Sequence, residues 1–168
     1  LSRPLGDWDI LLRQARYFNL LGRLASLFQQ QSLLDRVPAQ PREQLLWDLV
    51  RAERYVLAVR SEVDYIREAP ARVGIPLILL KGAAYALAGL PAAAGRYFSD
   101  IDILVPQESL NDVEAALLMH GWISSHHDEY DQHYYRTWMH ELPPMQHVRR
   151  MTVIDVHHAI VPRTAPVH

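Results

Sequence analysis

Cysteine is absent from the 168 residues. That excludes disulfides, thiolate metal sites and thiol catalysis together, and it fits a reducing, cytoplasmic setting. Long hydrophobic runs are absent as well. No apolar stretch approaches the roughly 20 residues that cross a bilayer, and the start, Leu1-Ser2-Arg3-Pro4, has neither an initiator Met nor a signal-peptide pattern. Residues 161–168 stop without a terminating element, so a longer parent chain is expected at both ends. Neither sign of charge dominates. Seventeen Lys and Arg stand against 19 Asp and Glu, a net charge of −2 with histidine neutral. There is then no global positive field or basic stripe, which argues against a long nucleic acid as partner. Internal repeats and low-complexity segments are also lacking.

What is present is an ordinary globular composition, long enough for one domain with a real core. The first part reads as two amphipathic helices. Trp8, Leu11, Ala15, Phe18, Leu21, Ala25 and Phe28 recur every three or four residues, with Asp7 as N-cap. After a linker at residues 37–40, Pro41 suits a first helical position. The stripe Leu45, Leu49, Ala52, Val56, Val59, Val63, Ile66 then continues until Ala69-Pro70, which should end or kink the helix. The character changes after Gly74. Residues 76–80 read as a buried strand, and residues 82–88 as an Ala-rich helix. Residues 101–105 follow as a second strand. A helix over residues 106–120 should turn Leu110, Val113, Leu117 and Leu118 inward. Trp122–Ser124 begins a third strand, residues 125–140 have no clear period, and Val153–His157 is a further strand. The expectation is an α+β fold. A helical segment (1–72) precedes a core (73–168) made of a small mixed sheet packed with helices.

Three segments carry chemistry. In Ser99-Asp100-Ile101-Asp102-Ile103-Leu104-Val105, side chains alternate faces along a strand. Ile101, Ile103 and Val105 point to the core, while Asp100 and Asp102 share the other face, roughly 6–7 Å apart by strand rise. Two carboxylates so placed repel each other unless a cation lies between them, and hard oxygen donors suit Mg²⁺. In Thr152-Val153-Ile154-Asp155-Val156-His157-His158, Asp155 is a lone acid among apolar neighbours, costly unless paired or bound to metal. His157 shares its face and is a candidate substrate contact. If the two strands adjoin, three acids converge, a set able to hold two ions about 3.5–4 Å apart. In Leu79-Leu80-Lys81-Gly82-Ala83-Ala84, a strand runs through glycine into a helix whose N–H groups could receive phosphate, with Lys81 adding charge.

Together these residues resemble the polymerase-β-like nucleotidyltransferase superfamily. More narrowly, Leu80-Lys81-Gly82-Ala83, then Arg96 before the Ser99-to-Val105 strand, then Ile154-Asp155-Val156-His157 resemble the bacterial uncharacterised nucleotidyltransferase family, over about residues 74–160. The resemblance implies a small sheet on which Asp100 and Asp102 bind Mg²⁺, or Mn²⁺ in its place. It implies that Asp155 is the third carboxylate, near the acceptor hydroxyl. Lys81, Gly82, Ala83, Arg96 and Ser99 would lie around an NTP, with the acceptor a small molecule, peptide or protein. The family usually carries Ser or Gly after the first Gly, and Ala83 has no hydroxyl. That favours an alternative, a catalytically degenerate module that binds a nucleotide or a partner. Five histidines (His126, His127, His133, His140, His147) lie near one another. However, Pro143-Pro144 prevents a His-Glu-x-x-His helix after His140. The aromatic run Tyr130, Tyr134, Tyr135, Trp138 reads as a packing surface.

Overall fold

A computed structural model describes residues 4–124 and 128–161. The chain forms two compact units, one from Leu1–Val59 with Tyr85–Tyr97, the other from Arg60–Ala84 with Phe98–His168.

The first unit is helical. Helices α1 (Leu5–Tyr17) and α2 (Leu21–Gln30) replace the single helix expected over this stretch. The break falls at Asn19, whose φ of 58° is left-handed, a conformation that asparagine tolerates better than most residues. It removes Phe18 from the apolar stripe and leaves it 65% exposed; Leu12, not Leu11, is buried. Asp7 sits inside the first turn, with Pro4 at the N-cap. Trp8, Leu12, Ala15, Leu21, Ala25, Val37 and Leu45 form one cluster, and Trp8 meets Phe28 edge-on at 5.9 Å. Gly22 packs directly on Gly95: a Cβ on either residue would fall on the other's backbone.

Helix α3 (Ala39–Arg72) starts two residues before Pro41 and carries Pro70 in its last turn. Leu45, Ala52, Val59, Val63 and Ile66 of the expected stripe are buried.

The second unit is built on a five-stranded sheet. Its strands are β1 (Ile78–Leu79), β2 (Asp100–Leu104), β3 (Trp122–Ser124), β4 (Met145–His147) and β5 (Val153–His157), in the order β1-β2-β5-β4-β3. β2 and β5 are parallel and the other neighbours antiparallel. The architecture is therefore α+β with a mixed sheet, as the alternation of patterns implies. β1 corrects one expectation. It has two residues, lies at the sheet edge, and leaves Ile78 58% exposed. Between β1 and β2 comes the short helix α4 (Lys81–Leu87). Helix α5 (Leu110–Met119) buries Leu110, Val113, Ala116 and Leu117, whereas Leu118 is 51% exposed. Within this unit, Arg150 holds the end of α3. Its Nε donates to both oxygens of Glu62 at 2.8 and 2.9 Å, and the guanidinium lies over the rings of Tyr65 and Trp122. Among the described residues, no helix is long and apolar enough to cross a membrane.

His147 on β4 is a structural residue. Its Nδ1 accepts from the N–H groups of Arg149 and Arg150 at 3.2 Å each, so the ring is neutral and Nε2 donates to the His120 carbonyl at 3.1 Å. Burial pushes its pKa down, and Arg150 acts in the same direction. The unfolded chain therefore takes up a proton that the native ring resists, and stability is lost as pH falls below about 6.5. In His147→Asn the amide oxygen can accept the same two bonds without titrating. The gap in unfolding free energy between the natural protein and this variant should narrow between pH 7.5 and pH 5.5. Urea titrations at the two pH values measure it, and a gap independent of pH would refute the assignment.

Candidate active site

β2 and β5 both alternate strictly. Ile101, Ile103, Ile154 and Val156 are buried on one face, so Asp100, Asp102, Asp155 and His157 are committed to the other. The parallel register sets Asp102 directly opposite Asp155 and Asp100 opposite Val153. Strand spacing of about 4.8 Å then puts two acids side by side across the ladder. The third component arrives from β1. The Leu80 N–H donates to the Asp102 carbonyl at 2.9 Å. Lys81 follows with a left-handed φ of 45°, uncommon for a residue with a Cβ. Its ammonium donates to Asp102 Oδ1 at 2.5 Å.

Asp102 is buried and takes a second partner on the same oxygen, His157 Nε2 at 2.9 Å. The other ring nitrogen of His157 lies 3.0 Å from Glu141 Oε2. Lys81, Asp102, His157 and Glu141 thus form one chain of polar contacts, its last three members largely shut off from water. The hydrogen bond to Asp102 raises the Lys81 pKa, with further contributions from the charges of Asp102, Asp155 and Asp100. The hydrogen bond to Glu141 raises that of His157, and the bond to Asp102 adds to it. Asp155 is pushed up to about 6, first by burial and then by Asp100, Glu141 and Asp102. Its negative form is therefore held against both low polarity and like charge.

The remaining candidate residues lie as follows. Ser99 is exposed, and its hydroxyl donates to Asp100 Oδ1 at 3.3 Å. Gly82 is buried against the Phe98 ring, which fills the space a Cβ would need; this gives it a packing reason in its own right. Ala83 is buried as well. Arg96 belongs to the first unit, where it lines a cavity of about 390 Å³ with Asn19, Arg23 and Tyr97. His126 and His127 fall outside the described residues. His133 is exposed, and His140 and His147 are buried.

Glu141 is the residue the sequence pattern missed. It follows helix α6 (Glu129–Tyr134), a π-helical turn over Tyr135–Met139, and His140 in the left-handed region at φ 59°. This path brings it to an antiparallel bridge with His157. The only local signal was the dipeptide His140-Glu141, which pointed to a different motif. In the aromatic run, Tyr130, Tyr134 and Trp138 are exposed, while Tyr130 stacks on Tyr134 and Tyr134 meets Tyr135 edge-on at 5.7 Å.

Among the described residues, no three His, Asp or Glu side chains form a ready-made ligand cage. The donor set still fits a hard divalent cation. Mg²⁺ takes few protein carboxylates and completes its shell with water and phosphate oxygens. The charges of Asp100, Asp102 and Asp155 already act together on one positive group, the Lys81 ammonium. Asp100, Asp102 and Asp155 are the residues that would hold such an ion. A family model described as "Uncharacterised nucleotidyltransferase" matches residues 4–168. No curated protein and no solved structure matches the chain.

Proposed function

Because the chain belongs to this nucleotidyltransferase family, we propose that the acid-lined face of β2 and β5 transfers a nucleoside monophosphate from an NTP to an acceptor hydroxyl in a divalent-cation-dependent reaction. The observation that carries the proposal is the parallel register opposing Asp102 to Asp155 beside Asp100. Bound Mg²⁺ or Mn²⁺ would neutralise phosphate charge and favour loss of the acceptor proton. The chain's own residues position the reactants. Asp100 and Asp102 would hold the cations, which would supply positive charge for the triphosphate. Asp155 orients the acceptor hydroxyl and takes its proton as the oxygen bonds to the α-phosphorus and the bond to pyrophosphate breaks. Lys81, already directed at Asp102, turns to the departing pyrophosphate. Gly82, Ala83 and Ser99 complete the assignment of nucleotide contacts. The near-neutral charge favours a small molecule, peptide or protein as acceptor over a long nucleic acid.

Thermal shift with each NTP, with and without Mg²⁺ or Mn²⁺, is the first measurement, and mass-spectrometric detection of nucleotide transfer is the second. Asp102→Asn preserves shape and removes the charge. It should reduce transfer by about 10²–10³-fold, the scale of losing one preorganised electrostatic contact. Transfer unchanged in this variant would defeat the assignment. Ala83, with no hydroxyl to offer a phosphate, favours the degenerate-module reading. That reading predicts a cation-dependent thermal shift with no transfer to any acceptor.

A further inference from the structure

We propose that Glu141 is a positioning residue that acts through His157 to decide which oxygen of Asp102 is offered to a cation. The inference rests on the metal-dependent reading above and extends it to a residue on a different segment.

Three side chains stand in line: Glu141 Oε2, then the His157 ring, then Asp102 Oδ1, with contacts of 3.0 and 2.9 Å. All are nearly shut off from water, with exposures of 13%, 11% and 6%. A buried carboxylate is costly unless paired. The partner of Glu141 is His157, and both nitrogens of that ring are engaged. An imidazole held at both ends cannot turn about its Cβ–Cγ bond without breaking a contact.

The backbone fixes Glu141 as firmly. The His158 N–H donates to the His140 carbonyl and the Leu142 N–H to the Val156 carbonyl, each at 2.9 Å, on either side of the Glu141–His157 bridge. The Glu141 N–H donates to the Tyr135 carbonyl at 3.3 Å across the π-helical turn. Such one-turn widenings are common where a side chain must be re-aimed at a site. The result falls on Asp102. Lys81 and His157 both contact Oδ1, which leaves Oδ2 as the oxygen carrying neither contact. Carboxylates behind a histidine hold metal ligands in orientation in the same way.

The rival role for Glu141 is purely structural, fastening residues 140–142 to β5. The two separate in Mn²⁺ binding, followed by electron paramagnetic resonance on the full chain. The natural protein should bind Mn²⁺ and Asp102→Asn should not. Glu141→Ala should bind at least about 10-fold more weakly. Glu141→Gln, whose amide oxygen still accepts from Nδ1, should recover most of the loss. Glu141→Asp keeps the charge but is one methylene short, so it should bind several-fold more weakly, and it serves if the Ala variant does not fold. In the metal-free protein, ¹⁵N spectra of the His157 ring should move toward free-imidazole values in Glu141→Ala and Glu141→Asp. Natural affinity and an unchanged ring spectrum in these folded variants would overturn the inference while leaving the metal reading intact. A natural protein that fails to bind Mn²⁺, or an Asp102→Asn that binds it equally, would overturn both.

Discussion

Asp155→Asn should make the metal-free protein more stable at pH 8 and at the same time remove its transferase activity. The carboxyl rises from 3.8 to about 6 in the folded chain. The native state therefore binds its proton more tightly than the unfolded state does. Stability from this group is complete below about pH 4 and is lost as pH climbs through about 6. At pH 8 the ionised group opposes folding. The full shift corresponds to at most about 3 kcal/mol, which solvent screening of a half-buried carboxylate reduces to roughly 1–2 kcal/mol. Asparagine is nearly isosteric and never ionises, so the variant escapes this cost. Urea unfolding with a chelator present should show the gain at pH 8 and little of it at pH 4. Transfer should fall by about 10²–10³-fold. A variant less stable than the natural protein at pH 8 would mean that Asp155 is not surrounded by the acids described above. Stability gained where activity is lost marks a residue kept for chemistry.

The largest effect on folding is expected from Gly95→Ala in the first unit. Gly95 has φ +69° and its missing Cβ would fall on the Gly22 backbone. Left-handed backbone costs alanine about 1–2 kcal/mol, and forcing a methyl group against an unyielding chain about 1–3 kcal/mol more. Together the loss is roughly 2–5 kcal/mol, a fall in Tm of roughly 5–15 °C for a chain of this size. Gly89→Ala is the control. Its φ is +64° with nothing within 4 Å of a new Cβ, so it should show only the backbone part. Differential scanning calorimetry on both variants tests the packing argument, which fails if Gly95→Ala melts no lower than Gly89→Ala.

Much of the second unit was legible because β2 and β5 alternate residue by residue. Isoleucine and valine at every second position left only one face for Asp100, Asp102 and Asp155. The stripe of α3 was legible for the same kind of reason at the helical period. What escaped was decided by single torsions or by distant partners. The three-four spacing runs without interruption through Phe18, so nothing in the periodicity announced that Asn19 would adopt φ 58° and split the helix. β4 has three residues, and what makes it a strand is its pairing with β3 and β5, not its own composition. Ile78 looked like core because it is apolar, yet an edge strand offers it a neighbour on one side only. Glu141 was hidden most completely. Its place beside His157 follows from a π-helical turn and a left-handed residue, neither of which has a sequence period.

The position of β5 between β2 and β4 also sets an order of events during synthesis. It is the last of the five strands to leave the ribosome, yet it occupies the centre. Asp102 and Asp155 lie 155 − 102 = 53 positions apart, so their meeting depends on closing a long loop, a slow step in folding. Until that happens, β1-β2 and β3-β4 are two separate ribbons with open edges, the kind of intermediate that aggregates or calls on chaperones. The repulsion among the acids is thus deferred until the strand that completes the sheet has arrived.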